Sequence, residues 1–180
     1  MFMGFLSFFN RRPAPSEVFV KKSVEPIDIE IDLGWFRLNG VSLGEAPASI
    51  VPKEVINSAS GVFELVGQGI EIGMEHGVFD HAFITLADFT GTLSWKGGPL
   101  TLSPQMNERD VQAIFGEPYW TDRSGGETLL FYEYLVGQVE LQFEFPDAQG
   151  LTFVTLLRNG VLSVTEQRAA YGVTKSWPPD

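Results

Sequence analysis

Two stretches of strict two-residue alternation constrain this chain more than any other feature of it. Ile27, Ile29, Ile31 and Leu33 alternate with Asp28, Glu30 and Asp32, and Val139, Leu141, Phe143 and Phe145 alternate with Glu140, Gln142 and Glu144. A helix would scatter such a pattern around its circumference, whereas a strand places all the apolar residues on one face. Both stretches are therefore predicted as half-buried strands with their polar residues turned outward. Further strands are predicted over 35–38, 62–66, 69–75, 79–86, 129–136, 151–157 and 161–164. Between them lie Gly67-Gln68-Gly69, Gly137-Gln138, Pro146-Asp147-Ala148-Gln149-Gly150 and Asn159-Gly160. Connections this short make neighbouring strands antiparallel.

Helical periodicity is sparse. Asn107 is suited to cap a short helix, with Asp110 three residues on and Met106 and Val111 placed as a hydrophobic staple. Val111, Ile114 and Phe115 give it one apolar face, and Gly116 and Pro118 end it. A weaker helix is predicted within 52–59 and a third from Thr165 to about Tyr171. Segments 36–59 and 98–115 each run from a short strand through a turn into a helical stretch, and each is followed by predicted strands. The fold class expected is α+β, a strongly twisted antiparallel sheet, or two similar sheet halves, with a few short helices. The expected divisions are 1–22, an apolar and basic segment with a linker; 23–97, a first β-rich half; and 98–180, a second half with a helix, a meander and a tail, all in one compact unit.

Fifteen Phe and four Trp supply ample core-forming area and argue against disorder. The absence of cysteine removes disulfides, thiol nucleophiles and thiolate metal sites. The net charge of −11 is unevenly spread. Residues 1–22 carry four basic groups against one acid, a net of +3, and residues 23–180 carry eight against 22, a net of −14. Such a body repels nucleic acid and anionic lipid and draws basic partners, and its acidity also favours solubility.

Met1-Phe-Met-Gly-Phe-Leu-Ser-Phe-Phe9 is apolar and precedes Arg11 and Arg12. It is shorter than the roughly 20 residues that cross a bilayer, and its charges follow the apolar run where a secretory signal places them before it. The expectation is a cytoplasmic protein without stable membrane insertion. Residues 1–12 then pack on the body or on a partner, or touch a membrane surface.

The run Met106-Asn-Glu-Arg-Asp-Val-Gln-Ala-Ile-Phe-Gly-Glu-Pro118, followed by Tyr132-Glu-Tyr134, Gly137-Gln-Val-Glu-Leu-Gln-Phe-Glu-Phe145 and Gly150-Leu-Thr-Phe-Val-Thr-Leu156, resembles a recurrent bacterial helix-plus-meander half-domain. It is similar to units of beta-lactamase-inhibitor-like and outer-membrane lipoprotein assembly-factor folds. It also resembles small immunity proteins that neutralise toxins of contact-dependent or type VI secretion systems. The likeness spans roughly residues 106–157 and carries no catalytic residue, and the chain has no counterpart of the assembly factors' lipoprotein cysteine. The resemblance implies an immunity protein that binds a cognate toxin; the lack of a catalytic constellation makes a non-enzymatic role without cofactor the expectation, and the anionic body suits a toxin with a basic active-site cleft, such as a nuclease.

Particular residues offer themselves for such binding. Asp28, Glu30 and Asp32 would project as an acidic row about 7 Å apart, and Glu71 with Glu75 and Glu140 with Glu144 as pairs about 13 Å apart on their strands. They form either a docking face for a basic partner or a solvated face that deters aggregation. Tyr119, Trp120 and Arg123 are residue types enriched in binding hot spots, though a Tyr-Trp pair also suits a core. The cluster Glu75, His76, Asp80 and His81 raises a metal-dependent enzyme as the alternative, but it lacks the helical His-x-x-x-His spacing. Gly40-Val41-Ser42-Leu43-Gly44 has the G-x-S-x-G spelling of a nucleophile elbow, but no esterase triad is assigned to it, and no complete phosphate loop is present. An adaptor or chaperone for a secreted effector, using the apolar N-terminus, is the remaining alternative.

Overall fold

The computed structural model describes residues 26–47, 61–146 and 149–179, together with the backbone of 21–24. The predicted helix at 52–59 and the apolar segment 1–12 lie outside the described residues. Among the described residues the strands are β1 (Lys21–Val24), β2 (Glu30–Asp32), β3 (Arg37–Leu38), β4 (Val41–Ser42), β5 (Gly61–Leu65), β6 (Ile70–Glu75) and β7 (Val78–Thr85). They continue with β8 (Thr92–Trp95), β9 (Gly98–Leu100), β10 (Trp120–Asp122), β11 (Thr128–Tyr134), β12 (Val139–Phe145) and β13 (Phe153–Arg158). Helix α1 spans Glu108–Phe115, a 3-10 turn spans Val161–Ser163, and α2 spans Thr165–Ala170. The fold is α+β: two mostly antiparallel sheets with few, short helices.

The larger sheet has the order β1-β5-β6-β7-β13-β12-β11-β10 and the smaller β4-β3-β2-β8-β9. Two meanders, β5-β6-β7 and β11-β12-β13, are joined where β7 pairs antiparallel with β13, from Phe153 opposite Thr85 to Leu157 opposite His81. Both halves of the sequence therefore share one sheet. Two pairs are parallel, β1 with β5 and β2 with β8, and both are separated by the long connections that parallel pairing requires.

The main core lies between the two sheets. Ile29, Ile31, Leu33, Leu38, Val41 and Leu93 of the small sheet and its flanks pack with Phe63, Ile72, Phe79, Leu130, Leu141, Phe143 and Leu156 of the large one, and Val111 of α1 closes it. A second cluster on the opposite face gathers Leu129, Phe131, Leu157, Val161, Leu162 and Tyr171 beneath the C-terminal segment.

Helix α1 follows local chemistry. The Asn107 side chain accepts from Arg109 N–H and Asp110 N–H, and Asp110 Oδ2 accepts from Asn107 N–H at 2.8 Å, completing a capping box. Residues 161–164, predicted as a strand, form the 3-10 turn instead. The cause is 21 residues away: the Glu140 carboxylate accepts from Val161 N–H at 3.1 Å and from Leu162 N–H at 3.0 Å, the first donors of that turn.

Candidate functional site

Strand β2 and the segment leading into it form the best-built acidic surface. Gln68 clamps Ile27, its Oε1 accepting from Ile27 N–H at 2.9 Å and its Nε2 donating to Ile27 C=O at 2.6 Å. Asn39 clamps the next residues. Its Nδ2 donates to Asp28 C=O at 2.8 Å and its Oδ1 accepts from Glu30 N–H at 2.7 Å. Two side-chain amides thus hold an irregular segment that would otherwise cost ordering entropy on binding. Asp28 and Glu30 are exposed, and with Gln68, Asn39 and Thr90–Thr92 they line an open groove of about 680 Å³.

The other predicted positions do not join this groove. Asp32 is half-buried and its Oδ1 accepts from the N–H groups of Gly34 and Trp35, so it shapes a turn. Glu71 is half-buried in β6 opposite Glu64 and Phe83, and Glu75 lies exposed at the β6–β7 hairpin, 3.5 Å from the Arg158 guanidinium.

Glu140 and Glu144 correct the expectation of an outward acidic row on β12. All seven residues of this strand are buried, because it lies between β11 and β13 and both its faces are covered. Glu140 is fully buried, accepts additionally from Gln142 Nε2, and packs against Gly160, where any Cβ would overlap its side chain. Directly across the ladder stands Glu133, whose two carboxyl oxygens are buried. Burial pushes Glu133 up to about 11, and the neighbouring Glu140 carboxylate adds to the rise. Glu133 is accordingly protonated at neutral pH, and its proton is what allows two carboxyl groups to face one another. Glu144 is pushed up to about 7 by burial and then by Glu127.

Tyr119 and Trp120 hold the C-terminal tail. Tyr119 Oη donates to Ser176 C=O at 2.7 Å and its ring meets Trp177 edge-on, while Trp120 Nε1 donates to Tyr171 C=O at 3.1 Å. Arg123 is exposed and grips Glu108 of α1 with both terminal nitrogens, at 3.0 and 2.7 Å. This fork borders a second open groove, lined also by Arg109, Glu127 and Gln149.

The two histidines are not brought together as ligands. His76 is exposed on the hairpin turn, whereas His81 is buried over Gly73, where any Cβ would overlap the imidazole. His81 Nδ1 lies 3.0 Å from Asp80 Oδ2, and Asp80 Oδ1 lies 3.4 Å from Arg158. Among the described residues no three His, Asp or Glu side chains are grouped to hold a metal ion. No helix among them is long and apolar enough to cross a membrane.

Residues that matter here but carried no motif are Gln68, Asn39 and Glu133. Gln68 reads as a turn residue between two glycines, and Asn39 carries no reading from sequence. Glu133 was findable, since a four-residue connection from Tyr134 to Val139 sets Glu133 opposite Glu140.

Comparison with known proteins gave no matching family model, no similar curated protein and no similar solved structure.

Proposed function

We propose that this chain is a cytoplasmic immunity protein that binds and neutralises a cognate secreted antibacterial toxin, and that it acts by occupancy without turnover. The observation that carries this reading is the clamped acidic segment: Asp28 and Glu30 stand exposed beside an open groove, on backbone already fixed by Gln68 and Asn39. Fixed carboxylates on a strongly anionic body suit a cationic cleft, such as that of a nuclease, where they would take the place of phosphate. The likeness of residues 106–157 to immunity proteins supports the same class.

The test pairs this chain with the product of a secreted-toxin gene adjoining its own. Co-expression should restore growth, and the purified pair should associate one to one with an on-rate that falls about tenfold or more from low to physiological salt. Asp28→Lys with Glu30→Lys should slow association and abolish protection. Unchanged protection by that variant moves the interface elsewhere, and failure to protect removes the reading altogether.

A further inference from the structure

Three turns from distant parts of the sequence meet at one end of the molecule. They are 33–36 between β2 and β3, Lys96-Gly97 between β8 and β9, and 135–138 between β11 and β12. Gly34 lies so close to the backbone of Lys96 that a Cβ there would sit 2.8 Å from Lys96 N. The Tyr134 ring, at the base of the third turn, lies 5.3 Å from Phe36 and 6.1 Å from Trp95. On the far side, Gly137 abuts the ring of Trp177.

This end presents what the rest of the surface hides. Among the described residues the exposed large apolar side chains are Trp35, Val66, Leu135, Val136 and Val164, and three of these five stand on the converging turns. Trp35 is 65% exposed, Leu135 59% and Val136 65%, so neither ring nor branched chain is buried in the fold. The backbone beneath them is unfavourable. Leu135, Val136 and Gly137 all have left-handed φ values, of 51°, 57° and 78°. Asn or Gly suits such positions, and a β-branched residue is among the least suited. Strain of this kind, combined with exposed apolar surface, is characteristic of a site kept for contact.

Cations flank the aromatic rings packed behind the tip. Lys96 Nζ lies 5.3 Å from the Trp95 ring, Arg168 lies 5.1 Å from Trp177, and Lys175 Nζ lies 5.4 Å from Tyr119, whose ring in turn meets Trp177. Arg37 follows the first turn directly. Asp32, opposite Arg37 in the β2–β3 ladder, spends one carboxylate oxygen on the turn's own N–H groups. On a chain with almost twice as many acids as bases, this is a local reversal of charge.

We propose that this tip docks on an anionic lipid surface, with Trp35, Leu135 and Val136 entering the interfacial layer and the exposed Lys96 and Lys175 meeting the head groups, while Arg168, bonded to Leu162 C=O and Thr165 Oγ1, braces Trp177. Projecting turns tipped with Trp and aliphatic side chains and flanked by Lys match the chemistry of an acidic bilayer interface. The contact is independent of the acidic groove and stands whether or not that groove binds a toxin.

The experiment is co-sedimentation of the full chain with vesicles of phosphatidylcholine alone and of an equimolar mixture with phosphatidylglycerol, with tryptophan emission read in parallel. Binding to the mixed vesicles and a blue shift are expected, and both should weaken with salt. Leu135→Asn with Val136→Asn fits the left-handed backbone and so keeps the fold, and it should lower partitioning about tenfold or more. Trp35→Phe should still sediment while losing most of the blue shift. Three results overturn the proposal. These are failure to bind the mixed vesicles, binding that the Asn pair leaves unchanged, and a lipid-free dimer that the Asn pair dissociates, which would make a second copy the occupant.

Discussion

Glu140 shows what one buried carboxylate can organise. It joins an interior strand to the first donors of a turn that is remote in sequence, and so fixes where the C-terminal segment settles. Glu140→Ala leaves those N–H groups buried without acceptors and should cost about 3 kcal/mol in urea denaturation. Its neighbour governs pH dependence. Glu133 is raised in the folded state, so below the ordinary carboxylate range both folded and unfolded chains carry its proton and its contribution is fully present. As the pH rises the unfolded chain ionises first, and stability drains away through the window up to about 11. Glu144 adds the same sign up to about 7. The urea midpoint should therefore fall from pH 5 to pH 9, and Glu133→Gln, which stays neutral at every pH, should flatten that slope. A midpoint rising with pH in the wild type would contradict the buried proton.

At the scale of single elements, what could be read from sequence was what local chemistry decides. The capping box of Asn107 and Asp110 and the stop at Gly116 and Pro118 lie within a dozen residues, and α1 forms where they place it. Asn107→Ala should lower stability by about 1 kcal/mol and shorten protection of the first turn in hydrogen exchange. The β6–β7 pair was legible in outline but not in detail. Its register shifts at Gly73 and Met74, and the imidazole of His81 fills the space above Gly73. Gly73→Ala should cost about 2 kcal/mol or more, because ring and methyl cannot share that volume. Short strands such as β3, β4 and β9 carry too few residues to reveal a period. The acids of β12 were misread for a different reason. Alternation tells which residues share a face, but only a second layer decides whether that face meets water. The acidic groove was half legible: Asp28 and Glu30 stood out, while Gln68 and Asn39, which fix them, are set by contacts 41 and 9 residues away.

Considered whole, the molecule is bound across its middle. The β7–β13 ladder makes one sheet from strands of both sequence halves, and the main core draws on both. Far-ultraviolet dichroism and tryptophan emission should therefore report coincident unfolding midpoints in a single step. Two separated steps would show the halves melting apart. The hidden proton of Glu133 has a calorimetric consequence. When the fold opens at neutral pH that carboxyl meets water and gives its proton to the buffer. The heat absorbed on melting must then differ between phosphate and Tris, in proportion to their ionisation enthalpies, although both hold the same pH.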